Sequence, residues 1–144
     1  MSFKAIGTAF FCALIFLIAP EASAQNLVSP APNDAKVYIV EPADGATLPE
    51  TFTVKFGLSG MDLVPAGVDK ENTGHHHLLI DKPEYDVATS LPSTEQIKHF
   101  GKAQTETELT LTPGEHTLQL VLGNYAHVPH DHPVMSEPIT VTIE

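Results

Sequence analysis

The chain has 144 residues, and its 7 basic residues, all of them lysines, face 18 acidic ones for a formal net charge of −11. That excess repels phosphate backbones and anionic head groups over the whole surface, which argues against nucleic acid and membrane-surface partners and favours cations. The single cysteine is Cys12, so the rest of the chain has no disulfide, no thiolate metal site and no cysteine nucleophile.

In chain order, the first residues read as a targeting leader. Lys4 supplies a positive start, Ala5 to Ala19 is apolar, and Ala22-Ser23-Ala24 is the small-residue pattern that signal peptidase accepts. The run is shorter than the roughly 18 residues of a permanent span and is interrupted by Pro20 and Glu21. The expectation is a signal peptide over 1–24, cleaved after Ala24, with a periplasmic product; an uncleaved anchor is the alternative. Residues 25–35, with Pro30, Pro32 and Asn33, read as a flexible lead-in to a single domain over 36–144.

Strand signals follow. Lys36 to Val40 is the first, closed by the turn residues Asp44-Gly45. Thr51 to Leu58 alternates, with Phe52, Val54, Phe56 and Leu58 on one side. Gly74 to Asp81 is next and is stopped by Pro83. Ser93-Thr94-Glu95-Gln96 has capping-box spacing, which predicts one short helical turn in a crossover, with Ile97 and Phe100 on one face and Gly101 as its end. Thr105 to Leu111, His116 to Gly123 and Ile139 to Ile143 complete the set. Short alternating strands with Gly and Pro turns fit an all-β, immunoglobulin-like β-sandwich of about seven strands, a small open barrel being the alternative.

Histidine carries the chemistry. All 8 lie after the leader: His75, His76, His77, His99, His116, His127, His130 and His132. Neutral imidazole is the commonest biological metal ligand and suits copper and zinc. On a strand, His75 and His77 share one face as a pair able to grip an ion, while His76 goes with Leu78 and Ile80 toward the core, where a buried histidine is expected to be hydrogen-bonded. His127, His130 and His132 sit in a loop stiffened by Pro129 and Pro133. The metal-ligand candidates are therefore His75, His77, His127, His130 and His132, with His116, Met135 and Asp131 secondary; Met135 offers a soft ligand for Cu(I), and Asp131 a carboxylate ligand or an acceptor that orients an imidazole. His116 also reads as a structural histidine bonded to a carbonyl, and His99 as the C-terminal residue of the helical turn, favoured by its dipole. Enzyme chemistry has thin support: no serine lies in a Gly-x-Ser-x-Gly elbow, and Glu106 and Glu108 form a solvated strand face.

The ordered series Gly74-His75-His76-His77-Leu78-Leu79-Ile80-Asp81, His99-Phe100-Gly101, Pro113 to Gly123, and His127 to Ile139 resembles a bacterial family of short exported proteins, the domain-of-unknown-function 4399 family. The resemblance runs from about Gly74 to the end and implies an exported location, a compact domain and no particular activity. The family pattern often has Gly-Asp where this chain has Gly123-Asn124. Taken together, the expectation is a periplasmic histidine-rich module holding copper or zinc, uncertain as an enzyme and more readily a non-enzyme. The alternative is a non-enzymatic module that docks an envelope protein and uses its histidines as a hydrogen-bond network.

Overall fold

Alternating apolar residues become strands wherever two faces have different neighbours. A computed structural model describes residues 26–144, so the leader assigned to 1–24 lies outside the described residues. The strands are β1 (Lys36–Glu41), β2 (Thr47–Leu48), β3 (Thr51–Ser59), β4 (Asp62–Leu63), β5 (Thr73–Ile80), β6 (Ile97–His99), β7 (Glu106–Thr110), β8 (Gly114–Gly123) and β9 (Ile139–Ile143). Without the two-residue β2 and β4, seven remain. All nine form an all-β sandwich: a three-stranded sheet in the order β1-β3-β7 faces a six-stranded sheet in the order β2-β9-β8-β5-β4, in which β6 also pairs with β5.

The core is what the period-two pattern dictates. Val37 on β1, Phe52, Val54 and Phe56 on β3 and Leu109 on β7 pack against Leu78 and Ile80 on β5, Leu118, Leu120 and Leu122 on β8, and Val141 and Ile143 on β9. Each leucine fully removed from water contributes roughly 1.5–3 kcal/mol before cavity effects. Outward-facing Glu106 and Glu108 are exposed, as their register on β7 requires.

The larger sheet is covered on its other face as well. Leu79 on β5, Ile97 on β6, Val121 on β8 and Leu91 form a second apolar cluster, joined by Tyr85 and Met135 from the connecting segments. Every residue of β5 is consequently buried, including all three consecutive histidines.

The helical turn expected after Ser93 is absent among the described residues, and the segment forms β6 instead. Thr94, not Ser93, closes the local turn: its hydroxyl accepts from the backbone N–H of Gln96 and Ile97 at 3.2 and 3.0 Å. The chain then runs antiparallel along β5, pairing His99 with His77 and Ile97 with Leu79. An open strand edge supplied ladder bonds that an isolated helical turn does not have. Residues 26–35 are also held, through hydrogen bonds to the segment that follows β8, such as Asp131 N–H to the Ser29 carbonyl at 3.0 Å.

Candidate functional site

Strand alternation places His75 and His77 side by side on the outer face of β5, with ring centroids 4.6 Å apart. The loop after β8 brings His127 onto the same spot. Nε2 of His75 lies 2.9 Å, and Nε2 of His77 3.1 Å, from one atom, Nδ1 of His127. One ligand nitrogen from each of the three lies within 4.8 Å of the others. Here the fold joins residues 52 positions apart in the chain.

Two features of the backbone make the convergence possible. His127 has a left-handed conformation, φ 62°, held by its N–H donating to the Asn124 carbonyl and its carbonyl accepting from Leu91 N–H, both at 2.9 Å. Gly123, opposite His75 in the β5–β8 ladder, leaves space for the His77 ring: a Cβ at that glycine would stand 2.4 Å from the His77 Cε1.

A fourth imidazole completes the group. His99 on β6 stacks on His127 at 4.6 Å and meets His77 edge-on at 4.5 Å. Its Nε2 is 3.1 Å from the Pro92 carbonyl; a carbonyl only accepts, so Nε2 carries the proton and Nδ1 keeps a free lone pair. His99 was expected at a helix end; its place in the cluster follows from β6 being a strand. The sequence signal that finds it is Ile97-Lys98-His99-Phe100 read with period two rather than as a helical turn.

Burial and mutual repulsion hold His75, His77 and His127 neutral. Burial, reinforced by the neighbouring imidazoles, brings His75 down to about 4 and His77 to about 2, while burial and then His99 lower His127. Near neutral pH these rings therefore present lone pairs rather than charge, which is the form that binds metal. A ring nitrogen engages one partner along one direction, so His127 Nδ1 makes one good hydrogen bond to the other two nitrogens, not two. Three neutral nitrogens crowding one point suit a cation better than they suit one another. Bonds of 2.0–2.1 Å in a tetrahedral zinc site set ligand nitrogens about 3.3 Å apart, a few tenths of an ångström beyond the two short contacts.

The remaining candidates lie elsewhere. His130 is buried with Nε2 3.3 Å from the Thr73 carbonyl, and burial lowers its pKa. His132 is exposed, with Nδ1 2.8 Å from the Asp131 carboxylate. Asp131 itself accepts from Ala31 N–H at 3.2 Å. Met135 receives the Tyr85 hydroxyl at 3.5 Å in the outer apolar cluster. His116 donates to the Asp81 carboxylate at 2.9 Å and to the Thr112 carbonyl at 2.8 Å. His76 points into the core as its register requires, 5.2 Å from Phe56, yet neither of its nitrogens has a hydrogen-bond partner, contrary to the bonded histidine expected there. Burial lowers it to about 4.

A family model described as a domain of unknown function, DUF4399, matches residues 54–144. No curated protein sequence matches the chain. Among solved structures, the fibronectin(III)-like modules of Clostridium thermocellum CbhA are similar at 15% identity and a TM-score of 0.39, over 76% of this chain and 45% of that one. The chain thus spans under half the length of that structure.

Proposed function

The chain belongs to the DUF4399 family, and we propose that within the periplasm it holds a single transition-metal ion, copper or zinc, on His75, His77 and His127. The observation that carries this reading is the convergence of three neutral imidazole nitrogens, two of them on buried residues and the third on the half-buried His127, within 4.8 Å of one another. An all-nitrogen donor set fits both metals, and Cu(II) heads the affinity order for it. Met135 lends no support to a Cu(I) preference, because its sulfur is engaged by Tyr85. Three protein donors would leave a fourth coordination position for water or another ligand.

The test is titration of the full chain with Cu(II) and with Zn(II), after stripping by a chelator. Submicromolar binding is expected. It should be lost in His75→Ala/His77→Ala and in His127→Ala, and kept in His130→Ala/His132→Ala, whose rings lie outside the cluster. The 2.9 Å contact between His75 and His127 favours a second reading, in which the histidines only pin the loop to β5 and the sandwich docks an envelope protein. Absence of metal binding in the wild-type chain would select it.

A further inference from the structure

The loop that presents His127 is tied at both ends to the N-terminal segment. At the near end stands Asn124, only 2% exposed. Its Oδ1 accepts from the N–H groups of Ala126 and Val128 at 2.9 and 3.1 Å. Its Nδ2 donates to the Leu27 carbonyl at 2.7 Å and the Ser29 hydroxyl at 2.8 Å. All four positions of the amide are used. Its backbone adds two more bonds, N–H to the Val128 carbonyl and carbonyl from His127 N–H. At the far end, Asp131 N–H donates to the Ser29 carbonyl, and the Asp131 carboxylate accepts from Ala31 N–H.

We propose that Asn124 is a positioning residue for the metal centre: it clamps His127 over His75 and His77 and couples that clamp to residues 27–31, which thereby govern how readily the ion leaves. This rests on the metal reading above. His75 and His77 project from a strand with ladder partners on both edges and are fully buried, so neither the backbone nor the ring has room to move away. His127 is the donor on a loop and the one that is not fully buried. Release of the ion therefore begins with His127, and whatever holds the loop sets its rate.

Asn124→Asp separates the two halves of the clamp. It keeps an acceptor for Ala126 and Val128 and replaces the donor with a second acceptor facing the Leu27 carbonyl. The probes are cobalt(II), for its visible ligand-field spectrum, and zinc(II), for stopped-flow release to a chelating dye, both on the full chain. Asn124→Asp is expected to keep the wild-type cobalt spectrum and release zinc roughly 10- to 100-fold faster, the range for residues that orient metal ligands. Asn124→Ala should alter the spectrum as well, because the loop end of the clamp is also lost. Ser29→Ala, which removes one strap acceptor, should shift release in the same direction by less, and keeps the test alive if Asn124 variants fail to fold. Leu109→Ala, a core truncation on β7, should lower stability and leave release unchanged. Wild-type release rates in both Asn124→Asp and Ser29→Ala overturn this proposal alone. A wild-type chain that binds neither zinc nor copper in the titration above overturns the metal reading and this one with it.

Discussion

Neighbouring residues on one strand have opposite duties here. His75 and His77 point outward into the cluster, and Gly123 makes room for the second of them. In Gly123→Ala the new Cβ would meet the His77 ring at 2.4 Å, and the ring must turn away from the shared point. Metal affinity should fall roughly 10-fold or more, as when an orienting group is lost, and competition titration against a chelator checks it; unchanged affinity would mean that His77 is not a ligand. Between those two, His76 faces the core with both nitrogens buried and unpartnered. An unsatisfied buried polar group costs about 1–3 kcal/mol, so His76→Leu is expected to stabilise the domain by about 1 kcal/mol or more, seen as a higher denaturation midpoint at constant slope. A lower midpoint would show that those nitrogens are satisfied by bound water. Metal binding should not change, since the substitution lies on the other face of β5.

At the scale of elements, the strands were legible because each has one face toward the core, and period-two alternation reports that directly. The pairing of His75 with His77 was legible for the same reason. β6 was not, because Ser93-x-x-Gln96 satisfies a helix start and a turn equally well, and the open edge of β5 decided the outcome. The consequence is visible in two residues expected on one helical face: Ile97 joins the outer cluster and Phe100 the core. The selection of His127 over His130 and His132 was illegible too, since spacing along a loop carries no direction, whereas the left-handed turn at His127 does. The start of β8 also carries a pH-dependent contact. Hydrogen bonding to Asp81, the largest cause, raises His116, with the Thr112 carbonyl adding to it. The folded state thus binds this proton more tightly than the unfolded chain, so its contribution is fully present below the unfolded value near 6.5 and is lost as pH rises through the raised folded value. Solvent screening keeps it under about 1 kcal/mol. The lowered histidines add slopes of opposite sign in both proteins, so it is the difference between the wild type and His116→Phe, from denaturation curves at several pH values, that should fall as pH rises; a constant difference would remove the contact as a source of pH dependence.

For the whole molecule, the proposed metal centre would also be a cross-link. One strand of the larger sheet supplies two donors and a distant loop the third, so the unfolded chain lacks the site, and an ion that binds only the folded state stabilises it by mass action. The strongly acidic chain raises the local concentration of cations without choosing among them, and the choice falls to the imidazoles. Zinc or copper at 100 times the dissociation constant should add about 2.7 kcal/mol, and at roughly 4–8 °C per kcal/mol for a domain of about this size the unfolding midpoint should rise by about 10 °C or more. Calorimetry with and without chelator measures the shift. His130→Ala/His132→Ala should show the full increment and His127→Ala should show none. A metal-induced rise that survives in His127→Ala would mean that the ion binds elsewhere on the surface, and that the loop reaches across the sheet for a structural purpose alone.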